Sequence, residues 1–381
     1  MLPCDEAERG KRMARDDLVF IAGAGPVGLA AAVELTRRGV PVRIVDQGAG
    51  PTPPEQSRAL GILPTTLRIF EASGLTPELL AAGTTITRAE IAIGGKPALS
   101  LGFAKARTPY PFILSLPQGR TERLMIAWLK ARAIEVGWNV AVSGIGDTRR
   151  PTVRLSTGEE VAAGAVLGCD GSHSKVREEL GVPWVGESYP GVFALADVTF
   201  SEPIDPHRAK ISLGADSQGS HALLPMSERS ARLIGFHDAP EKLVEAVAGI
   251  ESVTWQSTFR VAFRRAERMS RGWVFLAGDA AHVHSPVGGR GMNLGIWDVA
   301  AFAQLFAEGR ETEYESQRLP VVKAVLDQTL EGTTTLGAPP SYARLALRYV
   351  MPTATLLPPV ARRIAERVLA LDLPQPEWLD S

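Results

Sequence analysis

The chain has 381 residues and is short of several things at once. It has two cysteines, Cys4 and Cys169, too few and too far apart for a disulfide framework or a zinc cluster, so no metal is expected. No run of 18 apolar residues occurs, which excludes a transmembrane helix. Neither sign of charge dominates: 41 basic and 42 acidic residues leave a net charge of −1. That balance gives no reason to expect nucleic acid or an anionic membrane as partner. Residues 1–16, MLPCDEAERGKRMARD, are charged and lack an apolar segment, so they read as a disordered tail with no signal peptide, and Met13 is an alternative start. These absences point to a reducing, cytoplasmic setting.

Three strand ends carry chemistry. The run Leu18 to Ala22 reads as a buried strand, followed by Gly23-Ala24-Gly25-Pro26-Val27-Gly28 and a helical pattern to Arg38. In that context Gly23 permits the turn, Gly25 lets a pyrophosphate approach the backbone, and Gly28 lets helix and strand pack closely. A second strand, Pro41 to Val45, ends at Asp46, 18 residues after Gly28, where an acid binding a ribose hydroxyl is expected. Near the other end, WVFLAGDAAHVHSPVGGRGMNLGIWD (273–298) reads as a strand, a sharp turn at Gly278-Asp279, a Pro/Gly-rich loop and a helix from about Gly291. Asp279 would accept hydrogen bonds from sugar-like hydroxyls. The amides of Gly288, Gly289 and Gly291 would face negative charge. Between these, the strand Ala165 to Cys169 leads into Asp170-Gly171-Ser172-His173-Ser174. There Asp170 and Ser172 are expected to cap a short helix and, compatibly, to meet a cofactor.

As a set, Gly23-x-Gly25-x-x-Gly28, Asp170-Gly171 with Ser174 and Val176-Arg177, and Gly278-Asp279-Ala280-Ala281-His282 with Pro286 and Gly291-Met292-Asn293 resemble one family. It is the single-component FAD-dependent aromatic hydroxylases of the para-hydroxybenzoate hydroxylase type, the group A flavin monooxygenases. Ser57-Arg58-Ala59-Leu60, Gln118 with Glu122, and Tyr314 with Arg318 fit its pattern more loosely.

The resemblance implies an α/β fold: a Rossmann-like FAD-binding domain with an inserted, mostly antiparallel substrate sheet and a C-terminal helical segment. The expected division is residues 17–185 for the first part of the FAD-binding domain, with an excursion toward the substrate domain near 86–117. The substrate sheet follows at 186–262, the second FAD part at 263–319 and C-terminal helices at 320–381. Helices are expected over Thr65 to Ser73, Pro77 to Ala82 and Thr121 to Val136, the last with Leu124, Ile126, Trp128 and Leu129 on one face. Asn139 to Val142, Val153 to Ser156 and Val161 to Leu167 read as further strands of the nucleotide domain. In the middle, 193–198, 209–213, 221–225 and 232–236 alternate like strands of an antiparallel sheet. The last 60 residues read as packed amphipathic helices, with a homodimer contact or a lipid-facing surface as the sharper reading.

The resemblance also implies a reaction. NADPH or NADH, binding transiently, reduces FAD; O2 follows; a flavin C4a-hydroperoxide then hydroxylates an aromatic, phenolic or polyketide-like substrate. Pro26, Val27 and Gln118 would line the cofactor, and Pro286 would shape the wall beside the flavin ring. Arg58 would face the cofactor or the nicotinamide pyrophosphate, unless it is a solvated loop arginine. Arg290 stands where the family commonly has glutamine, and its cation would stabilise reduced flavin. Trp297 also departs from the usual polar residue. For a base near a phenol, His221 is the first choice, against a structural reading of the same residue; His237 and Tyr110 follow. A reductase or oxidase of the same fold is the alternative. A plain nicotinamide dehydrogenase would leave Asp170-Gly171 and the Gly278 loop unexplained.

Overall fold

The computed structural model describes residues 18–53, 59–214, 219–337, 341–376 and 379. Arg58, Ser57 and the N-terminal tail lie outside the described residues. The fold is α/β, with a mostly parallel six-stranded sheet and a larger, mostly antiparallel sheet.

Four short segments run parallel at the centre of the first sheet: Val274–Leu276, Ala165–Gly168 and Val19–Ala22, all buried, and Val42–Val45, buried only at Ile44 and Val45. Every residue of Val19–Ala22 and Ala165–Gly168 is buried, as expected for strands covered on both faces. Ser270–Arg271 and Val136–Gly137 form its edges. Helices Pro26–Thr36 and Arg290–Glu308 are part of the same hydrophobic core as these strands.

Two expectations fail between residues 118 and 168. The helix spans Gln118–Lys130 and stops well short of Val136. Ala133 takes φ 59°, and the Ile134 amide reaches back to the Leu129 carbonyl at 3.1 Å, a Schellman-type stop without the usual glycine. Its buried face is also different: Met125 joins Trp128 and Leu129, while Leu124 and Ile126 are only partly covered. The chain then enters the parallel sheet at Val136–Gly137, and Asn139 turns it at φ 59°. Val142–Ile145, Thr152–Leu155 and Glu160–Ala162 form a separate three-stranded antiparallel sheet, so the expected Val161 to Leu167 strand is two elements. The break falls at Gly164, whose amide bonds to the Leu18 carbonyl.

The larger sheet has eight strands, in the order His282–Val283, Ile250–Ala266, Trp184–Phe200, Ser230–Gly235, His221–Pro225, Arg208–Leu213, Arg88–Ile93 and Lys96–Gly102. Two of these strands, Trp184–Phe200 and Ile250–Ala266, run for 17 residues each and pair along their lengths. The second went unread, although Val253, Trp255, Phe259, Val261 and Phe263 alternate at period 2. Residues 88–102 join the far edge through a parallel pairing with Arg208–Leu213.

The two faces of this sheet have different cover. Ala194, Ala196, Val198, Leu223 and Leu233 pack against Leu243 of the helix Pro240–Glu245. The other face carries Phe193, Phe236 and Phe259, which meet Val287 of the Pro/Gly-rich loop. Further along it, Ala89, Ala209 and Leu224 meet the C-terminal helix Pro358–Val368 through Ala365 and Leu369.

Candidate active site

Close backbone approach holds the three motifs together. Gly23 sits at φ 98°, and a Cβ there would lie 2.4 Å from the Cys169 carbonyl oxygen; one at Gly28 would lie 1.9 Å from the Gly23 carbonyl. Only glycine lets the first turn nest against both its own helix and the Asp170 strand. Val27 was expected to touch cofactor. Its side chain instead fills the space beside Gly278 and Gly295, where a Cβ would come within 2.9 and 2.5 Å of it. Val27 therefore joins the first motif to the third. Arg177 joins the second to the third: its guanidinium donates to the carbonyls of Ala280 at 3.0 Å and Ser172 at 2.8 Å, and lies 3.9 Å from the Trp184 ring centroid.

The acids are held by local bonds. Asp46 accepts from the Ala24 amide at 2.6 Å and the Gly48 amide at 2.7 Å, one bond per oxygen, which leaves acceptor capacity for hydroxyls. Asp170 accepts from the Ser174 hydroxyl at 2.6 Å and the Val176 amide at 3.0 Å, and Ser174 caps the helix Lys175–Glu179 by accepting from the Arg177 amide. Burial pushes the Asp170 carboxyl above its usual range, and those bonds only partly offset it. Burial, then Asp170 and Asp298, push the Cys169 thiol up, so it stays protonated and unreactive. Asp279 is exposed in the short turn Gly278–Ala280.

The third motif rests on Asp298, which the sequence reading passed over. This fully buried carboxylate accepts from His282 Nε2 at 2.6 Å, Arg318 Nε at 2.8 Å and the Gly278 amide at 3.2 Å. Burial pushes it up, but the charges and hydrogen bonds of His282 and Arg318 together outweigh burial and hold it below the usual carboxylate range. The available signal was an acid inside the apolar run Leu294 to Phe302, since a buried charge demands partners. Tyr314 adds a hydrogen bond to the Leu276 carbonyl at 2.8 Å, at the end of the same strand.

Past Pro286 the loop enters the helix Arg290–Glu308 through Gly288 (φ 81°) and Gly289 (φ 63°), a pair of left-handed residues that side chains disfavour. First-turn amides, Gly291 and Met292 among them, have no partner within a helix and sit at its positive end. A Cβ on Gly25 or on Gly291 would meet nothing within 4 Å, so the backbone at both ends of the site is open to a ligand. Those open edges, the spare acceptor capacity of Asp46 and the exposed Asp279 fit an adenine dinucleotide extended between the motifs.

Several expected contacts resolve differently. The Asn293 side chain has its bonds filled: it accepts from the Leu63 amide and Thr66 hydroxyl and donates to the Gly61 and Gly289 carbonyls. It clamps the loop to residues 61–66, and Met292 likewise turns its side chain into the core. Trp297 keeps a polar role by donating to Thr66 Oγ1 at 2.9 Å. Arg290, expected beside the flavin, directs its donors to the C-terminal helices. Nη1 donates to Gln328 at 2.6 Å and Nη2 to the Arg367 carbonyl at 3.0 Å, so its cation ties the loop to the C-terminal helices. Gln118 donates to Glu122 at 2.9 Å and to Thr52 Oγ1 at 3.3 Å, and accepts from the Ala59 amide at 3.3 Å.

His221 is the clearest correction. It shares a strand face with Leu223, which packs toward Pro240–Glu245, so it lies on the side of the sheet away from Val287. Burial, then His237, lower its pKa. Tyr110 donates to Glu71 at 2.7 Å, and burial, then Glu71, push it up to about 12, so it is no base either. The face toward Val287 instead carries an aromatic wall. Phe193 lies 4.4 Å from Phe236 and 5.6 Å from Phe259 between ring centroids. Beyond it, the buried Arg232 donates to both oxygens of Asp197 at 2.7 Å.

Comparison with known proteins shows the family. A family model described as an FAD binding domain matches residues 17–329. The 6-methylpretetramide 4-monooxygenase of Streptomyces rimosus is 32% identical over 92% of this chain and 68% of its own length. The rifampicin monooxygenase of Streptomyces venezuelae is 30% identical over 93% of this chain and 79% of its own. The crystal structure of the p-nitrophenol 4-monooxygenase PnpA from Pseudomonas putida DLL-E4 has the same fold. It superposes with a TM-score of 0.82 over 93% of this chain and 98% of that one, at 23% identity. The chain is an FAD-dependent monooxygenase and belongs to the group A flavoprotein hydroxylases of the para-hydroxybenzoate hydroxylase type.

Proposed function

We propose that this enzyme hydroxylates an electron-rich aromatic or polyketide-like small molecule in the cytoplasm, with O2 as oxygen donor and NADPH or NADH as transient reductant. One observation carries the substrate class: the wall of Phe193, Phe236 and Phe259, set opposite Val287 of the loop that leads to the open helix end. Such a wall favours a flat aromatic guest by burial and ring contact.

Bound FAD supplies a two-electron carrier and the site of oxygen activation. Asp46 would hold the ribose hydroxyls of its adenosine half, and the Gly25 backbone would admit the pyrophosphate. Asp279 would hold the ribityl hydroxyls. The first-turn amides Gly291 and Met292 would stabilise negative charge on the reduced ring by their dipoles. Asp298, His282 and Arg318 keep that turn in place, and Asn293 fixes the helix against residues 61–66. Pro286 has no amide hydrogen to donate and would present an apolar edge to the bound ring. The larger sheet acts as the substrate-binding unit and the two chain segments around it as the FAD-binding unit.

The test is to reconstitute the protein with FAD, follow NADPH and NADH oxidation with a panel of phenols and polycyclic aromatics, and trace labelled oxygen from O2 into product. Substrate-stimulated oxidation with label incorporated is the expected result. Oxidation without incorporation for every member of the panel overturns the hydroxylase reading in favour of a reductase or oxidase.

A further inference from the structure

The near-zero net charge hides a local asymmetry. Between Glu331 and Glu366 the chain has four arginines, Arg344, Arg348, Arg362 and Arg363, and no acid. The same stretch concentrates the apolar surface. Among the described residues nine large hydrophobic side chains are exposed, and six lie between 342 and 357. These are Tyr342 (76%), Leu345 (58%), Tyr349 (64%), Val350 (59%), Leu356 (76%) and Leu357 (59%), whereas the other three are scattered and reach at most 42%.

The segment is built, not frayed. Tyr342, Leu345 and Tyr349 recur at spacings of three and four along the helix Ser341–Leu345 and the wider turn Ala346–Val350, which puts them on one stripe. On the other side Leu347 packs against Ile93, Ala98 and Leu213 of the large sheet. Arg348 is exposed, with its guanidinium 5.5 Å from the Tyr349 ring centroid, and Arg363 is exposed on the next helix. A cleft of about 730 Å³ opens beside the stripe, with Ile91, Leu99, Ile211, Pro352 and Leu356 among its walls.

We propose that residues 342–357 dock on an anionic lipid surface. Tyrosine and leucine on one side with flanking arginine is the pattern of an element that lies in a membrane interface without crossing it. No described helix is long and apolar enough to cross a membrane, which fits contact from one side only. A second copy suits the face less well: a symmetric pairing would bring the same arginines together with no acid in the segment to answer them. Docked this way, the cleft at Leu356 opens toward the bilayer, and apolar compounds dissolved there gain a route to the large sheet.

The experiment is co-sedimentation of the full FAD-loaded chain with phosphatidylcholine vesicles and with vesicles in which about a third of the lipid is phosphatidylglycerol. At least tenfold more protein is expected on the anionic vesicles, and less at high salt. The combined variant Leu345→Ser, Tyr349→Ser and Leu356→Ser is expected to fall to background while keeping its bound flavin. The pair Arg348→Glu and Arg363→Glu is expected to lose the preference for anionic lipid. No retention on either vesicle overturns the proposal, as does retention that survives the triple substitution. A concentration-dependent dimer in sedimentation velocity, dissolved by the triple substitution and without vesicle binding, assigns the face to a second copy instead. None of these readouts depends on turnover.

Discussion

The parallel sheet and the large antiparallel sheet solve different problems. The first has central strands that are short and largely buried, with glycine turns at the strand ends. The second is long and covered differently on each face, so each residue's role depends on which way it points. The nucleotide site is therefore read from local motifs. The substrate face exists only once distant segments pair. His221 and Phe193 show the contrast: they lie on two strands of one sheet that flank Ser230–Gly235, yet only Phe193 faces the Pro/Gly-rich loop.

The sharpest break to this division is Asp298→Ala. It leaves His282 and Arg318 buried without their carboxylate, and a loss of about 3–5 kcal/mol is expected by urea unfolding, with the flavin released. Next comes a pair within one motif. Gly28→Ala, whose Cβ would meet the Gly23 carbonyl, should cost about 3 kcal/mol. Gly25→Ala has free space and should leave unfolding unchanged while weakening FAD binding about tenfold, as read by flavin fluorescence. Equal behaviour of the two would blur backbone packing and ligand approach into one effect.

A third test uses pH. Burial, then His282, push His284 down from 6.5 to about 4. Folding thus favours its neutral form; that contribution is complete above the unfolded value near 6.5 and is lost as pH falls toward 4. Wild type should lose about 2 kcal/mol more than His284→Gln between pH 7 and pH 5, measured by urea unfolding at each pH. Phe259→Ala, in the wall, should keep its flavin and lose about tenfold in kcat/KM for an aromatic substrate, near 1.4 kcal/mol. The smallest effect is expected at His221→Asn, with kcat within twofold of wild type across pH 6–9. A large loss there would mean that the two faces of the sheet do not divide the work as their cover indicates.

Legibility followed the same division. The strand, glycine turn and helix around Gly23, Gly25 and Gly28, and the strand ending at Asp46, were legible from spacing and flanking pattern because turn geometry is local. The helix stop at Ala133 was missed because a non-glycine residue takes the left-handed conformation there, where glycine is the usual signal. Arg290 was read as a flavin neighbour from its place in the loop, but its partners, Gln328 and the Arg367 carbonyl, come from helices far along the chain. Arg177 was seen only as part of a motif, and its bond to the Ala280 carbonyl required the loop to return beside it.

By itself, then, the amino-acid order determined the nucleotide-binding strands, their glycine turns and the class of cofactor, since each depends on neighbours within a few residues. Tertiary structure alone decided which face of the large sheet meets the Pro/Gly-rich loop, where Arg290 spends its charge, and how Asp298 is paired. Those outcomes rest on contacts between segments tens to hundreds of residues apart, and in a strand a single step of register turns a side chain from one face to the other.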